Sequence, residues 1–153
     1  YMQRNQPEEA MNLANELVTS NPSSHTGYYL KGCIELNMLK NYVAARESFA
    51  KAIELNPSFV DANVNMAYTF MNEVVARRNN GDWKLDRNNK KEFDREFEEV
   101  KKYYEQALPY MERAHELVPE QPKVWAAALQ QIYTNLQNKE KADEMDAILS
   151  TAY

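Results

Sequence analysis

The sequence predicts an all-α fold of antiparallel helix hairpins stacked as a solenoid, and three observations carry that expectation. Gly is scarce, 3 of 153 residues (Gly27, Gly32, Gly81) against 6 Pro, where a β-rich chain with many tight turns needs at least the usual share of about 7%. Apolar residues recur at helix spacing in three segments that answer one another, each closed by a proline. Two of those segments stand one hairpin apart: Ala10 to Ala45 and Pro22 to Pro57 are both separations of 35 positions, the period of a helix-pair array.

The elements follow in chain order as one domain, residues 1–153. Residues 1–22 hold a half repeat, a single second-type helix running through Ala10, Leu13, Ala14, Leu17 and Val18 to Asn21 and Pro22. Residues 25–58 hold a full repeat. Its first helix (A) carries Tyr29, Gly32, Cys33, Leu36 and Leu39 on one face, and its second (B) carries Ala45, Phe49, Ala52, Ile53 and Leu55 before Asn56 and Pro57. Residues 59–119 form a repeat that begins with Ala62, Met66, Ala67 and Phe70 and is then interrupted at about 77–102. The stretch from Arg77 to Lys91 is rich in turn signals, and Phe93, Phe97, Val100, Tyr103 and Tyr104 resume helical spacing after it. Both helices of this hairpin are therefore expected to be lengthened and to meet in a protruding, Asn-rich tip. Pro109 falls inside the second helix, where the missing N–H should kink it. Residues 122–153 close the chain with Trp125, Ala128, Leu129 and Ile132 in one helix, then Ala142, Met145, Ile148 and Leu149 in another.

The second of these repeats, Tyr28-Tyr29-Leu30-Lys31-Gly32-Cys33 through Leu36, Tyr42, Ala44-Ala45, Phe49, Ala52 and Pro57, resembles a tetratricopeptide repeat. The family pattern is a 34-residue helix-turn-helix with an early aromatic, a small residue where the helices cross, and a closing Pro. A period of 35 leaves one extra residue, placed before Tyr29 in preference to the turn near Asn37 to Asn41. The resemblance implies a right-handed α-α superhelix whose A helices line a concave groove. Groove positions then fall on Leu30, Ile34, Met38, Val64, Tyr68, Met71, Ala126, Gln130 and Tyr133. Some family members grip a terminal carboxylate with Lys, Asn and Arg at such positions; only Asn65 and Asn72 approximate that set here, so a hydrophobic segment is the expected ligand. The segment Tyr103 to Glu112 is also similar in flavour to repeat proteins of gut Bacteroidetes, which implies a bacterial cell envelope or periplasm.

Charge and chemistry narrow the function classes. The net charge of −5 opposes attraction to phosphate backbones or anionic lipid, so nucleic acid is not an expected partner. No stretch approaches the roughly 20 apolar residues of a membrane span. The chain starts Tyr1-Met2 with no basic-then-apolar leader, which reads as a processed or excised piece of something longer. Cys33 is the single cysteine and cannot form an internal disulfide or a thiolate cage. His25 and His115 lack the i+4 partner of a zinc pair, phosphate-binding Gly loops are missing, and paired acids such as Glu98-Glu99 read as solvated helix faces. No catalytic residue, metal site or cofactor is expected, and the chain is read as a non-enzyme.

Between Arg77 and Lys102 nine bases face seven acids. Three readings of this insertion stay open: a solvated face laced with i,i+4 pairs, a docking tip for a protein partner through Arg77, Arg78 and Trp83, or a contact for an anionic ligand. The expected function is an interaction scaffold that binds a peptide or protein segment in the apolar groove. The alternative is a structural or self-association segment of a longer array, pairing through the open first half repeat at Met11, Leu13, Leu17 and Val18.

Overall fold

The computed structural model describes residues 2–152. Among these residues there are seven α-helices and no strand: α1 (Met2–Ser20), α2 (His25–Asn37), α3 (Tyr42–Leu55), α4 (Val60–Asn79), α5 (Lys90–Leu117), α6 (Pro122–Asn135) and α7 (Lys139–Ala152). The all-helical expectation holds.

Two kinds of helix stop alternate. Helices α1, α3 and α5 end just ahead of Pro22, Pro57 and Pro119, where the proline withholds a donor and its ring disfavours the α region for the residue before it. The turn that follows is the same each time: Ser24 N–H donates to the Asn21 carbonyl at 3.0 Å, Phe59 to Asn56 at 3.1 Å, and Gln121 to Val118 at 3.0 Å. Helices α2, α4 and α6 instead close on a left-handed residue, Lys40 (φ 53°), Gly81 (φ 87°) and Gln137 (φ 61°). The next N–H then reaches back over the helix end: Asn41 to the Glu35 carbonyl at 2.8 Å, Asp82 to Arg77 at 3.0 Å, and Asn138 to Tyr133 at 2.9 Å.

This bonding locates the extra residue of the 35-position period. The turns that follow each proline have one length, whereas the α2–α3 connection has one residue more than the α6–α7 connection and closes over six positions instead of five. The insertion therefore sits in the turn near Asn37 to Asn41, not before Tyr29. Leu39, assigned to the buried face of the A helix, lies beyond the helix end and is exposed.

Contacts gather into two compact units, Tyr1–Thr69 and Phe70–Tyr153, with the division inside α4. In the first, α2 lies against both α1 and α3. The closest approach is at Gly32, where an added Cβ would stand 2.7 Å from Phe49 Cε1; Phe49 is fully buried among Leu36, Ala45 and Ala52. Two polar links add to this: in the core Ser48 Oγ donates to the Glu35 carboxylate, and the half-buried Arg46 donates to Thr69 Oγ1 at 3.1 Å and to its carbonyl at 3.2 Å. In the second unit, α6 packs on α5 and α7 through Met111, Ala114, Trp125, Leu129 and Ile132, and Trp125 Nε1 donates to the Val118 carbonyl at 2.9 Å. Helix α5 passes through Pro109, which is exposed.

Gly32→Ala is expected to lower stability by about 1–3 kcal/mol, the usual cost of overpacking, in chemical denaturation. A parent-like midpoint would show that α2 can withdraw from Phe49. Lys40→Gly is expected to raise stability by about 0.5–1 kcal/mol, since it relieves a left-handed L-residue while loosening the unfolded chain; an unchanged or lower midpoint contradicts this.

Candidate functional site

Helix α2 and its C-cap residue present Leu30, Ile34 and Met38 as a stripe at i, i+4 and i+8. Its other side, with Gly32 and Leu36, is taken up by α3, so the stripe is left uncovered: Leu30 is 42% and Met38 51% exposed, and Ile34 is half-buried. On the first half of α4, Val64 and Tyr68 form a second half-buried stripe. The two helices are tied by Asn65, whose Nδ2 donates to Tyr29 Oη at 3.1 Å and lies 3.8 Å from Cys33 Sγ. Behind this contact the Tyr29 ring meets Phe59 edge-on (4.9 Å between centroids) and Phe49 at 6.0 Å, and His25 meets Phe59 at 5.1 Å. His25 is the first residue of α2.

These contacts set the chemistry of the face. Burial first, then the neighbouring Cys33, push the Tyr29 hydroxyl up to about 12, and burial likewise pushes the Cys33 thiol up. A thiol held protonated is a poor nucleophile. The Asn65 amide is engaged by Tyr29 and Cys33, which leaves it poorly placed to grip a ligand carboxylate.

The positions expected at the groove in the second unit are placed differently. Met71 is 4% and Tyr133 5% exposed, and Ala126 is fully buried, so these side chains belong to the packed interior. Tyr133 has the Lys141 ammonium 5.4 Å from its ring centroid, and burial, followed by the charges of Glu112 and Glu144, pushes its hydroxyl up to about 12. Gln130 is half-buried, with its amide donating to Thr134 Oγ1 at 3.3 Å. His115 stacks on Trp125 with centroids 3.7 Å apart.

The interrupted hairpin also departs from expectation. Trp83 is not a projecting contact residue: it is 4% exposed, its Nε1 donates to Glu99 Oε2 at 2.8 Å, and the Arg77 guanidinium stands 4.5 Å from its ring centroid. Arg77 also donates to Asp82 at 2.7 Å and to Tyr103 Oη at 2.7 Å, which holds the Asp82 carboxyl below the usual carboxylate range. Arg78 is exposed in the last turn of α4. The signal available in the sequence was Trp83 ahead of Glu96, Glu99 and Tyr103, acceptors and a ring on one face of the coming helix. Charges on α5 pair along the helix, Lys90 with Asp94 at 2.7 Å, Arg95 with Glu99 at 2.8 Å and Lys101 with Glu98 at 3.3 Å. Among the described residues no group of three or more His, Cys, Asp or Glu side chains is placed to hold a metal ion, and no helix is long and apolar enough to cross a membrane.

Stacked helix pairs joined by these two alternating turns define a helical-repeat protein. Residues 25–59 match the family model for the tetratricopeptide repeat. A crystal structure of MamA protein is similar in fold along 99% of this chain, with a TM-score of 0.63 and 18% identity; the chain covers 65% of that structure's length, less than two thirds. A second MamA structure, the RS-1 ArsTM double mutant, aligns over 98% of this chain and 90% of that one at 18% identity, with a TM-score of 0.43 too low to bear on the fold. No curated protein matches the sequence. Residues 25–59 are thus matched as one tetratricopeptide repeat, and the chain as a whole shares the helical-repeat fold of the MamA structure.

A folded-state Tyr29 raised above its unfolded value stabilises the fold below about pH 10, and that contribution is lost as pH rises toward about 12. The Tyr29→Phe variant should therefore lose less melting temperature than the parent between these limits. Parallel curves would place the alkaline sensitivity elsewhere.

Proposed function

We propose that the chain is a scaffold whose Tyr1–Thr69 unit captures an apolar segment of a partner protein on the stripes of α2 and α4, through Leu30, Ile34, Met38, Val64 and Tyr68. The observation that carries this reading is the exposure of Leu30 and Met38 on the side of α2 that α3 leaves open. Covering a large apolar side chain is worth about 1.5–3 kcal/mol before the cost of ordering the ligand. Two or three such anchors therefore suit a reversible contact.

The test is selection of peptides from a random display library on the immobilised protein. Enriched peptides should carry apolar side chains at regular spacing, and both Leu30→Glu and Tyr68→Glu should lose them by at least about tenfold, the effect of some 1.4 kcal/mol, while keeping the parent helical signal. Peptides that bind both variants as well as the parent would refute the assignment.

A second reading rests on α1, whose Leu13 and Leu17 are both exposed. That face would serve self-association or a longer array. Sedimentation at several concentrations separates the two: a strict monomer removes self-association, and concentration-dependent mass abolished by Leu13→Asp supports it.

A further inference from the structure

The α4–α5 connection, the first turns of α5 and Gln137 of the α6–α7 turn border a cleft of about 620 Å³, lined by Arg87, Lys90, Phe93, Asp94, Phe97, Glu98 and Gln137. Its apolar part is made by Phe93 and Phe97, one helical turn apart, with rings parallel to within 7° and centroids 5.8 Å apart. A cation stands over each ring: the Arg87 guanidinium is 5.9 Å from the Phe93 centroid and the Lys101 ammonium 6.0 Å from that of Phe97.

The wall that carries Arg87 is fixed in place. Leu85 takes a left-handed conformation (φ 49°) and its N–H donates to the buried Glu96 carboxylate at 2.7 Å. Trp83 is latched to Glu99, and Asn89 caps α5 by accepting from Glu92 N–H at 3.4 Å. A ligand meeting this wall does not have to order it first.

Charge picks out the ligand. Lys90 and Lys101 are matched by Asp94 and Glu98. Among the described residues Arg87 has no ion-pair partner, so the uncompensated charge of the cleft is a guanidinium beside an apolar floor. A guanidinium is built to take a carboxylate through two parallel hydrogen bonds. Gln137 is exposed at the edge of the cleft and also lines a neighbouring depression with Gln130, Thr134 and Asp143.

We propose that this cleft binds an extended segment of a partner protein in which a large apolar side chain stands beside a carboxylate. The apolar group covers Phe93 and Phe97, Arg87 takes the carboxylate, and the Gln137 amide meets the segment's backbone. This site is distinct in residues and in chemistry from the apolar stripes of α2 and α4, so the two can fail separately.

The experiment titrates the full chain into three labelled peptides, followed by fluorescence anisotropy: one with a Leu-Phe-Asp-Glu centre, its Leu-Phe-Asn-Gln isostere, and Leu-Phe-Lys-Lys. The acidic peptide should bind about tenfold more tightly than the isostere, and Arg87→Glu, an exposed change that spares the fold, should erase that preference and favour the lysine peptide. Gln137→Gly should weaken acidic-peptide binding severalfold while raising the unfolding midpoint, Leu30→Glu should leave it unchanged, and excess inorganic phosphate should not displace it. The proposal is overturned if none of the peptides binds, if the isostere or the lysine peptide binds the parent as well as the acidic one, or if Arg87→Glu changes nothing. Displacement by phosphate would reassign the site to small anions, and loss on Leu30→Glu would reassign the binding to the α2 face.

Discussion

A helix hairpin stacks on its neighbour only if each helix stops where the next must turn, and in this chain two chemically different stops alternate to enforce that. Prolines end the B helices by withholding a donor. Left-handed residues end the A helices by folding the next N–H back over the exposed carbonyls. Helix lengths, and with them the placement of every buried residue, follow from these stops. The α2–α3 turn shows how much slack the device allows: one added residue is absorbed by closing over six positions instead of five, and Gly32 still reaches Phe49.

The long hairpin obeys the same rule with a longer reach. Gly81 closes α4 as Lys40 closes α2, but the next helix does not start at once; a connection intervenes and needs partners of its own. Those partners come from α5, whose Glu96, Glu99 and Tyr103 recur at helix spacing and receive Leu85 N–H, Trp83 Nε1 and Arg77 respectively. A buried indole with its N–H satisfied turns what would be a floppy insertion into a fixed wall. Function can then be carried by residues the wall only supports, such as Arg87.

Fold and site were legible to different degrees, and the reasons are physical. Apolar spacing and the prolines act locally, so helices and their stops could be read from the chain itself. Whether an apolar side chain faces a partner helix or solvent depends on which neighbour covers it. Leu30 and Met38 were assignable because α2 has a glycine on its other side to mark the helix crossing. Met71 and Tyr133 were not, since no residue near them in sequence signals that they are covered. Trp83 was misplaced for a related reason: an aromatic in a polar loop reads as exposed until its acceptors, 16 residues on for Glu99, are brought beside it. The extra residue of the period was likewise invisible to spacing, because only the backbone hydrogen bonds distinguish a longer turn from a longer helix.

Buried acids complete the specification that small apolar residues leave open. Many core positions here are Ala, including Ala45, Ala52, Ala62, Ala67, Ala107 and Ala114, and smooth alanine faces allow close helix approach but discriminate poorly between registers. Glu35 and Glu96 are both buried, and each carboxylate accepts one defined donor, Ser48 Oγ and Leu85 N–H. A slip of one residue would leave either carboxylate buried without its partner, at a cost of several kcal/mol. Hydrophobic burial therefore drives the helices together, while two acids fix which arrangement survives. One sets the register of α3 on α2. The other sets the strained path of the wall that places Arg87 over Phe93, which joins the folding of the insertion directly to the chemistry of the cleft.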